Sequence, residues 1–174
     1  MLFINKWKAY TPFSWIINNN NGVENINHIY YNPKKKGTKI SIISDNEIPF
    51  DIIVGDINKN DRLYLNDHIN NLNLTNKNII GDKGYLWKRL KENLINTKNI
   101  NMITSYKKNQ HLKNTPNELI LLKSRRKIEH LFKKIKISHR INNREDKKIS
   151  NFKSFLYLNL IDRFKDCFLL YEHI

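Results

Sequence analysis

The sequence predicts an α/β fold, a mixed sheet flanked by helices, from three features. Short runs rich in Ile and aromatic residues recur in the first half. Segments with helical spacing of Leu and Ile lie between and after them. No internal repeat and no Gly/Ser linker divides the 174 residues, so residues 1–174 are expected to form a single domain with residues 1–12 as a short N-terminal extension.

The elements follow in order. Residues 13–18 (FSWIIN), 38–44 (TKISIIS) and 48–55 (IPFDIIVG) read as three antiparallel strands, with Asp45-Asn46 as the turn between the last two. Residues 60–72 carry Leu63, Ile69 and Leu72 at near-helical spacing. A short strand, 78–82 (NIIGD), stops on Gly81-Asp82. A helix over 85–95 and a strand over 99–106 come next. Thr115-Pro116-Asn117-Glu118 is a capping box with proline at the first helical position, and with no Pro or Gly beyond it the helix is expected to run to about Lys136. The last helix, about 150–171, has a broad apolar stripe including Phe152, Leu156, Leu160 and Phe164.

Composition narrows the function classes. The chain has 31 Lys+Arg against 16 Asp+Glu, a net charge of +15, which asks for a polyanionic partner, nucleic acid first. Hydrophobic residues make up 40%, which supplies a core and excludes full disorder. The crowding of Asn, Lys and Ile, with a single alanine (Ala9), also fits the codons of an AT-rich genome, so charge alone leaves the partner open. One cysteine, Cys167, excludes a disulfide framework and an all-cysteine zinc site, and fits an intracellular, reducing compartment. No apolar run is long enough for a membrane span, and MLFINKWKAY has no secretory pattern. The six histidines are scattered, which argues against zinc, and no GxxxxGK[ST] loop is present.

Two acids stand out. Asp82 ends a short apolar strand, where α/β proteins gather ligands, though an ordinary turn aspartate reads the same way. Glu129 sits in a basic helix with Lys123, Arg125, Arg126, Lys127, Lys133, Lys134 and Lys136. An i,i+4 ion pair with Arg125 would explain it plainly; a metal-binding carboxylate flanked by phosphate-gripping cations is the sharper alternative. Tyr30-Tyr31 beside Lys34 to Lys36 and Lys39 reads equally as a DNA-contacting loop or a solvated insertion, and the basic stretch 138–148 as a phosphate-contacting connection or a solvated loop.

Taken together, these pieces resemble a family. GDKGY at 81–85, with Glu129 47 residues after Asp82 in Arg125-x3-Glu129-x6-Lys136, resembles the catalytic region of DDE-type insertion-sequence transposases. Their signature is Tyr-x2-Arg-x3-Glu-x6-Lys, and Leu122 takes the tyrosine place here. Upstream, Lys36 to Ser41, Ile48-Pro49-Phe50, Gly55 and Asn60-Asp61 resemble further landmarks, and four of the five glycines fall on them.

The resemblance implies an RNase H-like fold and metal-dependent phosphoryl transfer on DNA. Asp82 and Glu129 would be catalytic and metal-binding, with Mg²⁺ (or Mn²⁺) as cofactor, and Arg125, Arg126, Lys133, Lys136, Lys36 and Lys39 would contact DNA. It also implies DNA strand cleavage and transfer by a homo-oligomer on paired DNA ends.

One departure matters. The family's first aspartate aligns with Phe13, and no acid precedes Glu24. Asp45 is a poor substitute in its turn, and Asp61 reads as structural. No separate DNA-binding segment is expected before the first strand. These features point to a truncated, degenerate element with impaired activity; the alternatives are a non-catalytic basic DNA-binding remnant, or an expressed remnant without function.

Overall fold

The computed structural model describes residues 9–19, 27–29, 32–45, 47–85, 87–106 and 113–171. Three expected strands are longer than or equal to their sequence ranges: β1 (Ala9–Asn19), β3 (Asn32–Asp45) and β4 (Ile48–Gly55). A short β2 (Asn27–Ile29), absent from the sequence reading, pairs with the start of β3. β1 and β4 both lie antiparallel to β3. β5 (Asn78–Gly81) is parallel to β1 and to β6 (Asn101–Thr104), and β7 (Asn143–Arg144) touches the end of β1. The resulting path β2-β3-β1-β5-β6, with β4 also on β3, is a mixed sheet with the RNase H-like order of antiparallel strands followed by parallel ones.

Helices cover both faces of this sheet. α1 (Asp61–Asn71) is capped by Asn60, whose side chain accepts from the Arg62 N–H. α2 (Lys88–Lys98) ends on Asn99 in the left-handed conformation, φ 52°. With Asn73 and Asn76 also at positive φ, three asparagines do the conformational work glycine usually does in a chain short of glycine. α1 and α2 enclose Ile43, Leu65, Ile69, Ile79, Leu90, Leu94, Ile100 and Met102.

The long helix expected from Thr115 to Lys136 is two helices. The capping box forms as expected, Thr115 Oγ1 accepting from Glu118 N at 3.3 Å and Glu118 Oε2 accepting from Thr115 N at 2.9 Å. α3 (Pro116–Ser124) then gives way at Arg125 to α4 (Arg126–Lys136). No Pro or Gly marks the break; instead the Ser124 hydroxyl donates to the Leu121 carbonyl at 2.6 Å, a back-bond of the kind that bends helices. The bend separates an unburied helix from one with Ile128, Leu131, Phe132 and Ile135 buried at i, i+3, i+4, i+7 spacing.

The basic stretch 138–148 is not simply a solvated loop, although Arg140, Lys147 and Lys148 stay exposed on it. It forms α5 (His139–Asn142) and β7, burying Ile141 and Arg144. Arg144 donates to Thr38 Oγ1 at 3.0 Å and lies over the Phe152 ring, so this cation supports the core rather than facing phosphate. α6 (Ile149–Tyr171) closes that face, packing Phe152, Leu156, Leu160 and Phe164 on α4 and on Ile40, Ile42, Ile52 and Val54. Among the described residues, no helix is long and apolar enough to cross a membrane.

Candidate active site

β5 meets β1 only at Ala9 and Tyr10, and β7 meets it only at Asn18 and Asn19. Between those contacts, β1 has no strand beside it on that edge among the described residues. A cleft of about 90 Å³ opens there, lined by Thr11, Pro12, Ser14, Asp61, Asp82, Tyr85, Arg125, Ile128 and Glu129. The end of β5, the start of α1 and the α3–α4 bend thus converge on one stretch of β1.

The GDKGY turn has a specific build. Asp82 Oδ1 accepts from the Gly84 N–H at 2.7 Å, and a Cβ on residue 84 would stand 2.9 Å from that oxygen. On residue 81, a Cβ would collide with the Met102 methyl. A side chain at either position would thus push aside the end of a neighbouring one, Met102 at residue 81 and the Asp82 carboxylate at residue 84. Arg62 of α1 clamps the turn, donating from Nε and Nη2 to the Gly84 carbonyl at 3.2 and 3.1 Å and lying over the Trp87 ring. Burial, with the charges of Asp61 and Asp82 adding to it, pushes the Tyr85 phenol above its usual range, so it stays protonated at the floor of the cleft.

Glu129 is on the first turn of α4 and Arg125 at the bend; both face the cleft. No ion pair joins them, so the plain i,i+4 explanation of Glu129 is not realised. Arg126 and Lys133 are exposed on α4, and Lys136 is half-buried at its end. Lys39 turns inward, its Nζ donating to the Lys59 carbonyl at 2.8 Å and to Asp61 Oδ1 at 3.2 Å. Asp61, read as structural, lines the cleft with this lysine beside it. Asp45 is buried at the end of β3 opposite Tyr10 and is not part of the lining.

Phe13 stands opposite Ile42 in the β1–β3 register. The side chains of Phe13, Trp15, Lys36 and Cys167, together with Tyr30 and Tyr31, lie outside the described residues. β1 contains no acidic residue, and among its described side chains Thr11, Pro12 and Ser14 line the cleft. The oxygen donors of the lining, the carboxylates of Asp61, Asp82 and Glu129 with hydroxyls beside them, are the hard ligands a Mg²⁺ ion takes. No group of three His, Cys, Asp or Glu side chains placed to hold a metal ion is found among the described residues.

A second polar feature escaped the sequence reading. His68, one of the scattered histidines, is fully buried on α1 and bonded between Ser41 and Asp51. Burial pushes the Asp51 carboxyl up, but hydrogen bonds from His68 and Asn71 outweigh it and hold the group below its ordinary 3.8. The only sequence signal was Ser41 inside the apolar run TKISIIS.

Comparison with curated proteins finds no match. Among solved structures, the chain is similar to the piggyBac transposase synaptic complex with hairpin DNA (15% identity, 60% of this chain and 24% of that chain, TM-score 0.41). It is also similar to the Mos1 transposase paired-end complex with left transposon end (7% identity, 75% of this chain and 55% of that chain, TM-score 0.37). In each case it spans less than two thirds of the other chain. The family model of the transposase DDE domain matches residues 14–161, from Ser14 of β1 to Ile161 of α6. That span takes in every side chain lining the cleft except Thr11 and Pro12, and the chain belongs to the transposase DDE domain family.

Proposed function

We infer that the cleft is a metal-dependent phosphoryl-transfer site for DNA ends, weakened by the lack of an acid on β1. One observation carries the reading: Asp82 and Glu129, 47 residues apart in sequence, line a single cleft together with Arg125. Asp82 and Glu129 would hold Mg²⁺ or Mn²⁺, with Asp82 aimed by its bond from Gly84 N–H. A bound cation would neutralise charge on the phosphoryl oxygens and lower the pKa of an attacking water. Arg125 would grip the reacting phosphate inside the cleft, and the exposed Arg126 and Lys133 would hold the flanking backbone. In this reading, strand cleavage and transfer would be carried out by copies paired on two DNA ends.

A second reading, a non-catalytic DNA-binding remnant, is favoured by β1 having no acid for the cleft. A strand-nicking assay with Mg²⁺ or Mn²⁺ separates the two. The expected result is weak or no nicking by the unaltered chain, with nicking gained in Phe13→Asp and lost again when Glu129→Gln is added. Nicking by the unaltered chain that Glu129→Gln abolishes would sink the claim of impairment. Salt-dependent DNA binding with no nicking by any variant would favour the remnant.

A further inference from the structure

Four polar side chains form a chain through the α1 face of the sheet and end in the cleft. Asp51 Oδ2 lies 2.7 Å from His68 Nδ1, His68 Nε2 lies 2.9 Å from Ser41 Oγ, and Ser14 Oγ donates to Ser41 Oγ at 3.2 Å. Ser41 and His68 are 1% and 0% exposed, whereas Ser14 lines the cleft beside Asp82 and Glu129. Asn71 Nδ2 donates to the same Asp51 oxygen at 3.0 Å, fixing the far end.

Hydrogen-bond chemistry gives this chain a direction. An ionised carboxylate only accepts, so His68 Nδ1 carries the proton. Ser41 Oγ meets Nε2 on the other side of the ring. Ser41 Oγ in turn takes the proton of Ser14. The single proton of Ser14 thus points inward, away from the cleft that Ser14 lines. The order Asp51, His68, Ser41 is also that of a hydrolytic triad, but Ser41 is closed off from any substrate; the hydroxyl at the cleft belongs to Ser14.

We propose that Ser14 supplies the β1 oxygen of a divalent-cation site with Asp82 and Glu129, with Ser41, His68 and Asp51 as positioning residues that turn its proton away from the cation. A hydroxyl oxygen whose proton points away, beside two carboxylates, suits a hard cation, and β1 offers no carboxylate to do the same. This rests on the metal-dependent reading of the cleft above.

The test is Mn²⁺ binding by the full chain, followed by electron paramagnetic resonance of the free ion. Glu129→Gln tests the underlying reading, and Ser14→Ala and Ser14→Thr test the inference. Glu129→Gln and Ser14→Ala are each expected to weaken binding by about tenfold, the lower end of what loss of ligand support costs, with Ser14→Thr keeping it. Asp51→Asn, far from the cleft, should weaken binding severalfold without moving the melting temperature by more than a few degrees. If Glu129→Gln weakens binding and Ser14→Ala does not, the inference falls and the metal reading stands. If Glu129→Gln changes nothing, both fall. A direct check needs no variant: ¹⁵N shifts of the His68 ring should show a protonated Nδ1, and a bare Nδ1 would overturn the chain's direction.

Discussion

Along β3, alternate residues serve opposite faces of the sheet. Ile40 and Ile42 meet the apolar side chains of α4 and α6, while Ser41 and Ile43 meet α1. The first face is sealed by burial, from Ile17 and Ile128 through to Phe164, and Arg144, buried there, is braced by Thr38 and Phe152. The second carries a hydrogen-bonded seam through its centre, from Asp51 at the rim to Ser14 in the cleft. The lesson is a division of labour. One face holds the chain together by volume and contact area; the other gives up some of that to aim an oxygen into the site.

The contrast can be broken from either side. The largest effect is expected on the dry face: Phe152→Ala leaves a cavity between α6 and Ile42 and should cost about 3–5 kcal/mol in urea unfolding. A cost near zero would mean α6 is not packed as described. On the polar face, His68→Leu fills the space but strands the Ser41 hydroxyl, and about 1–3 kcal/mol should be lost. Were Leu neutral there, the seam would be mere filler.

A smaller effect concerns acid. Asp51 has a carboxyl held below its ordinary 3.8, so its contribution is fully present above that value and disappears as pH falls below it. The unaltered chain should therefore lose more stability than Asp51→Asn between pH 4 and pH 2, read from thermal melts across that range. Equal acid profiles would remove the His68–Asp51 bond from the account. Smallest in stability is Gly84→Ala. The atom its methyl would strike is the free end of the Asp82 side chain, which can yield, so the melting temperature should barely move. Mn²⁺ affinity should nevertheless fall severalfold, because the displaced carboxylate is the one the turn had aimed; unchanged affinity would show that Asp82 needs no such aiming.

Much of this was legible in the residues. The three antiparallel strands, the capping box at Thr115 and the final helix follow from period, caps and turn chemistry, all local properties. The break at Arg125 was not, because a serine hydroxyl bonding back to Leu121 depends on how α4 must turn to bury Ile128 and Leu131. Nor was the burial of Arg144, which reads as one more cation in a basic stretch until Phe152 and Thr38 close on it. The asparagines first attributed to codon bias include three that end or turn the chain at positive φ.

By itself, the sequence determined which family the chain joins and which acids to watch, since spacing along one chain is enough to carry the motif of Asp82, Arg125 and Glu129. Only the tertiary structure decided that these acids share a cleft, that Lys39 is drawn to Asp61, and that Ser14, Ser41, His68 and Asp51 form one chain of bonds. Those four residues come from three strands and a helix, up to 54 positions apart, and no local pattern links them. Their geometry exists only once β1, β3 and β4 are in register and α1 is packed across them, because hydrogen bonds act over about 3 Å in space and are blind to distance along the chain.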